Sequence, residues 1–102
     1  LLKGIDDSDV TVRRVVLRVM ESVVSENSSG VTHYFLKALK DEDPVVRQYA
    51  AMALGKLDLD DENDEEYDEV IDELFDLLDD RNLRIRAGAL YALGKIDSSD
   101  PD

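Results

Sequence analysis

Asp43-Pro44-Val45-Val46-Arg47-Gln48-Tyr49-Ala50-Ala51-Met52-Ala53-Leu54-Gly55-Lys56-Leu57 is the segment around which the chain is arranged. It returns 39 residues later as Asn82 to Ile96, and a looser copy stands 34 residues earlier as Asp9 to Val23. Arg13, Arg47 and Arg86 align, as do Val12, Val46 and Ile85. The tails Ala53-Leu54-Gly55-Lys56-Leu57-Asp58 and Ala92-Leu93-Gly94-Lys95-Ile96-Asp97 differ at one residue. Spacings of this size are those of stacked helical repeats, in which each unit buries its apolar side against its neighbours. Every copy opens on a residue able to cap free first-turn amides, Asp9, Asp43 or Asn82. Pro44 follows as the first helical residue, where its missing N–H costs nothing. Val46, Tyr49, Ala50, Ala53, Leu54 and Leu57 then step by three and four, the period of one buried helix face. The same positions hold Val12, Val15, Val16, Val19, Met20 and Val23 in the first copy. In the third they hold Ile85, Gly88, Ala89, Ala92, Leu93 and Ile96, so a buried stripe is expected three times.

The pattern Leu39-x-Asp41-x-Asp43-Pro44-x-Val46-Arg47-x-x-Ala50-Ala51-x-Ala53-Leu54-Gly55, with Leu78, Asp80, Arg86, Ala89, Ala92, Leu93 and Gly94 in the third copy, resembles the HEAT-like repeat. The likeness is to the short form found in phycobilisome-lyase-type proteins, and it extends over essentially the whole chain. The first copy departs from it, with Val19-Met20-Glu21 in place of the Ala-Leu-Gly tail. The resemblance implies an all-α, α-α superhelix of about two and a half to three helix pairs, each pair an A helix and an antiparallel B helix. It also implies that the B helices line the concave side. Most such proteins are scaffolds, some accompany lyases, and distant relatives bind nucleic acid. No residue here matches a lyase's catalytic motif, so the activity does not carry over.

Composition bounds the function classes. The 102 residues carry a net charge of −13 with 43% hydrophobic content, so the chain can fold despite its acidity. That charge repels nucleic acid and anionic membranes at long range. With no cysteine there are no disulfides or thiolate zinc sites. No apolar run approaches the roughly 18 residues a membrane span requires, and no signal peptide is evident. A cytoplasmic protein is expected.

The chain reads as one repeat domain, 1–102, with repeats at about 1–24, 30–57 and 65–96 and an acidic linker at 58–66. Leu1 to Ile5 aligns with Leu36 to Leu39 and reads as the end of an A helix, and Asp97 to Asp102 reads as a connection onward, so a piece of a longer array is expected. Helices are predicted at Val10 to Val24, Val31 to Lys40, Glu65 to Asp79 and Leu83 to Ile96, besides the central B helix. His33, the sole histidine, has no nucleophile or metal cluster beside it in sequence and is expected to be a packing or surface residue. Asn27-Ser28-Ser29 fits a glycosylation sequon that nothing else supports. Asp58, Asp60, Glu62, Asp64, Glu66 and Glu69 fall at the ligand spacing of a calcium loop. Asn63 stands where that loop needs glycine and Glu65 where an apolar residue is usual, so a solvated acidic linker is the better reading. The carboxylates Glu69, Asp72, Glu73 and Asp76 read as a solvent face. No cofactor, metal or catalytic residue is expected.

Arg13, Arg47 and Arg86 fall in first turns of helices, where the macrodipole disfavours a cation. The aligned Asp7, Asp41 and Asp80, each six residues earlier, are the expected partners. A guanidinium forks onto two acceptors, so the six residues are expected to form a structural ladder from repeat to repeat. Eight of the twelve Lys and Arg fall in the B helices. Opposite the buried stripe stand Arg14, Arg18, Gln48, Met52, Arg84 and Tyr91, with Lys56 and Lys95 at the margin. Arg, Met and Tyr are types favoured at interface centres. The expected function is therefore a non-enzymatic scaffold or regulatory module that takes a protein partner, through an acidic segment, on this B-helix face. Arg14 is expected there as an exposed charge. The alternatives are an accessory domain of a lyase-like enzyme and a nucleic-acid-binding module, the latter opposed by net charge.

Overall fold

A computed structural model describes residues 2–25, 30–57 and 65–98. Within them the chain forms a 3-10 turn, Leu2–Asp6, and five α-helices: α1 (Val10–Val23), α2 (Thr32–Ala38), α3 (Pro44–Leu54), α4 (Glu65–Leu77) and α5 (Leu83–Ser98). The architecture is the all-α helical repeat expected. The B helices α1, α3 and α5 pack side by side, α3 in the middle, and each carries its own A element: the 3-10 turn on α1, α2 on α3 and α4 on α5.

The capping residues do what their chemistry favours. The Asp9 carboxylate accepts from the Thr11 amide at 2.8 Å, Asp43 from the Val46 amide at 3.1 Å, and the Asn82 side chain from the Arg84 amide at 2.8 Å. Each satisfies a first-turn donor that has no partner within the helix. Before α2, Gly30 has φ +73°, a left-handed conformation that side chains resist. The two near-identical tails end differently: α3 stops at Leu54 with Gly55 as C-cap, whereas α5 continues through Gly94 to Ser98.

The core runs the length of the stack and includes Leu17, Phe35, Val46, Leu54, Leu74 and Ile85. The buried stripe holds in α3 and α5 but not in α1. There Val12 and Val15 are exposed, Val23 is 66% exposed, and Leu17, outside the stripe, is fully buried. The cause is geometric. The middle B helix is covered from both sides, so Ala51, off its stripe, is also fully buried. Among the described residues α1 has, besides α3, only a five-residue turn against it, too short to cover the positions that α3 and α5 bury against their A helices and preceding B helices. Leu17 instead faces the next repeat.

Two helices approach unusually closely at Gly55. A β-carbon there would lie 2.9 Å from the Ala92 Cα and 3.3 Å from its Cβ. Gly55 has φ −68°, which any residue adopts, so glycine is required by space alone.

Candidate functional site

The polar frame that holds the repeats together lies at the N-terminal ends of the B helices. Arg13 donates through Nη1 to the Asp7 carbonyl at 2.8 Å, Arg47 to the Asp41 carbonyl at 2.8 Å, and Arg86 to the Asp80 carbonyl at 2.8 Å. The partner within each repeat is thus the main-chain oxygen rather than the aspartate's carboxylate. That carboxylate is oriented by its own turn: Asp7, Asp41 and Asp80 each accept from the amide two residues on, at 2.8, 2.9 and 2.9 Å. It is thereby presented to the arginine of the preceding repeat. Arg13 forks onto Asp41 through Nε at 2.8 Å and Nη2 at 3.3 Å. Arg47 reaches Asp80 through Nη2 at 3.2 Å, while its buried Nε has no hydrogen-bond partner. Asp41 holds the Arg13 guanidinium above its ordinary pKa, chiefly through the side-chain hydrogen bond and against some desolvation.

Two residues assigned to the B-helix face are also tied into inter-repeat bonds, Arg14 at the N-terminal ends of the B helices and Lys56 at their C-terminal ends. Arg14 is not a lone surface charge: it forks onto the buried Asp43 through Nε at 3.0 Å and Nη2 at 2.6 Å. Sequence spacing missed this because Asp43 is the cap of the next B helix, and the pair forms only once repeats stack. Lys56 likewise donates to the Glu21 carboxylate at 2.8 Å and to the Glu21 carbonyl at 2.8 Å. Its charge is matched by the acid that occupies the Gly55 position of the first repeat.

Asp43 carries a testable consequence. Its carboxyl is held below the usual carboxylate range, first by the Arg14 fork, with help from the Val46 amide and against burial, which pushes it up. A depressed folded-state pKa contributes stability that is complete above the unfolded value of about 3.9 and is lost as pH falls through the folded value. Asp43→Asn keeps the cap, as Asn82 shows for α5, but removes the titration. In urea melts the stability gap between parent and Asp43→Asn is expected to be full at neutral pH and to close in acid below about pH 4. A gap independent of pH would mean that Arg14 adds nothing to the cap.

What remains on the B-helix face is narrower than the sequence implies. Arg18, Met52 and Tyr91 occupy equivalent positions on the three adjacent helices: Arg18 and Tyr91 are exposed and Met52 half-buried. Arg84 is exposed at the start of α5, and Gln48 is half-buried, its Cγ 3.8 Å from where a Gly88 β-carbon would stand. The Lys95 ammonium sits 5.7 Å from the centre of the Tyr91 ring, a cation–π contact. His33 is exposed on α2, its ring centroid 4.0 Å from that of Tyr34, which fits a packing role. The calcium spacing falls largely on residues 58–64, which lie outside the described residues. Among the described residues no group of three His, Cys, Asp or Glu is placed to hold a metal ion, and no helix is long and apolar enough to cross a membrane.

Stacked helix pairs with capped B helices and a turn-to-turn arginine frame agree with the comparison to known families. A family model described as HEAT repeats matches residues 1–65 and again residues 35–102. The chain belongs to the HEAT repeat family. The two matches overlap over residues 35–65, which hold the end of α2 and all of α3, the middle of this HEAT protein. HEAT repeats commonly serve as protein-interaction scaffolds.

Proposed function

We propose that this HEAT protein is a non-enzymatic, cytoplasmic scaffold that takes an acidic segment of a protein partner on the B-helix face. The observation that carries the reading is the row Arg18, Met52 and Tyr91, with Arg84 beside it. It is a strip of cationic, flexible and aromatic side chains on three adjacent helices, left over after the inter-repeat bonds have taken Arg13, Arg14, Arg47 and Lys56. In an acidic body, Arg18 and Arg84 on this face attract an acidic segment there, while the net charge repels polyanions at distance. The recurring polar residues serve helix caps and inter-repeat bonds, which supports binding rather than chemistry.

The test is a pulldown from source-cell lysate with the parent and the double variant Arg18→Glu with Arg84→Glu. Loss of capture at an unchanged melting temperature is expected, because neither side chain is buried and neither belongs to the arginine frame. Unchanged capture by the folded double variant would overturn the B-helix face and move the search to the acidic A-helix side.

A further inference from the structure

The three B helices run parallel and in register. Between α1 and α3, Arg14 meets Asp43 at the N-terminal ends and Lys56 meets Glu21 at the C-terminal ends. Between α3 and α5, Arg47 meets Asp80 at the first and Gly55 meets Ala92 at the second. Equivalent residues therefore stand at about the same height, and others are placed by counting along a helix. Gln48 lies one turn before the level of Arg18 and Met52, and Arg84 two turns before that of Tyr91. Arg18 on α1, Gln48 on α3 and Arg84 on α5 thus step across the B-helix face in one diagonal line. Met52 and Tyr91 flank it on the C-terminal side.

Each member of this line has polar groups left over. The chain has 25 acidic residues against 12 lysines and arginines, yet among the described residues neither Arg18 nor Arg84 meets a carboxylate. Arg13, Arg14 and Arg47 all do. The Gln48 side chain is half-buried beside Gly88, but its amide makes no hydrogen bond among the described residues and reaches solvent. This openness is not confined to the outer helices. The middle helix α3 is packed on both sides, and Gln48 and Met52 on it still reach solvent.

Resting on the B-helix reading above, we infer that the acidic segment is an extended chain with two carboxylates about six residues apart. Packed helices stand about 8–10 Å apart and rise about 1.5 Å per residue, which puts the backbones at Arg18 and Arg84 roughly 20 Å apart. An extended chain covers that span in about six residues at about 3.3 Å each. Residues an even number apart leave a strand on the same side, so both carboxylates face the guanidiniums. The carboxamide between them matches main chain: it offers a donor and an acceptor together, the complement of a peptide group. An extended segment leaves its peptide groups free for that contact, whereas a helix uses them internally. Met52 and Tyr91 supply the apolar flank for side chains between the two acids.

Fluorescence anisotropy with labelled, end-capped peptides, at near-physiological salt to screen the net negative charge, tests this with the chain as it stands. Three peptides carry two glutamates three, six or nine residues apart, roughly 10, 20 or 30 Å when extended. Their background is otherwise uncharged threonine and proline, which stays extended. A fourth sets the glutamates about fourteen apart in a helical background, the same span on a helix. The spacing of six is expected to bind most tightly, by about tenfold over the spacing of three, the worth of one charge contact. Arg18→Glu with Arg84→Glu is expected to lose that binding at an unchanged melting temperature. Gln48→Leu keeps the bulk beside Gly88 and is expected to weaken binding several-fold at the same best spacing. Equal binding at all three spacings, lost in the double variant, would overturn the spacing and leave the B-helix face as the site. Binding that the folded double variant keeps would overturn both. Tightest binding by the helical peptide would overturn the extended chain. Binding by none of the four would overturn this partner, while capture from lysate by the parent and not by the double variant would still uphold the B-helix reading.

Discussion

Ala92→Leu is expected to lower stability by about 3 kcal/mol, the upper end of overpacking costs, and to lower the melting temperature by many degrees. Ala92 is fully buried, and what faces it is not a movable side chain but the backbone of α3 at Gly55. Three added carbons must be fitted against that backbone, so the two helices are expected to separate and part of the joint to open. The glycines give the matching contrast. Gly55→Ala puts a methyl group 2.9 Å from a main-chain carbon and is expected to destabilise by about 1–3 kcal/mol. Gly94→Ala, in the same sequence context, meets nothing and should instead stabilise α5 by about 0.5–1 kcal/mol through helix propensity. Thermal and urea unfolding of the three variants checks the set. Equal effects at the two glycines would mean that the close approach is not what selects glycine at Gly55.

Arg47→Ala is expected to cost about 1–3 kcal/mol, below the range for fully buried pairs because some solvent reaches both partners. The side chains of Arg47 and Asp80 are 18% and 17% exposed, and the variant takes the charge partner from the Asp80 carboxylate and the side-chain donor from the Asp41 carbonyl. Arg14→Ala is not the neutral control that its sequence position implies, because it strips the charge partner from Asp43. Arg18→Ala is the appropriate comparison and should change urea midpoints by no more than a few tenths of a kcal/mol. Should Arg47→Ala prove as mild as Arg18→Ala, the frame would be an ornament of the surface rather than a fastening between repeats.

The helices and their order were legible because the signals for them are local: a capping residue, a three-and-four apolar period and a repeat that states both again. The exposure of Val12, Val15 and Val23 was not legible, because periodicity marks a face as apolar without saying whether another helix covers it. The Arg–Asp columns could be read from their recurrence. The division of labour within them could not, since carbonyl and carboxylate of the same aspartate are indistinguishable in a sequence. Arg14 with Asp43 and Lys56 with Glu21 escaped for another reason. Each pair joins residues 29 or 35 apart that do not recur as pairs: Gln48 and Ala87 stand where Arg14 does, and Gly55 and Gly94 where Glu21 does. The strip expected to bind a partner was therefore overfilled, since two of its cations, Arg14 and Lys56, are already paired with Asp43 and Glu21.

The joint between α3 and α5 is fastened in two unlike ways at its two ends. Toward the C-terminal end of α3, backbone rests on backbone across Gly55 and Ala92, a contact indifferent to the solution. Toward the N-terminal end the fastening is Arg47 on Asp80, a single long contact of 3.2 Å between charges that solvent reaches. Ionic strength acts on one end and not on the other. Salt is thereby expected to weaken the ion-paired end, modestly because both side chains are mostly buried, while the glycine contact stays shut. The angle between successive repeats, and with it the curvature of the B-helix face, is expected to depend on the medium.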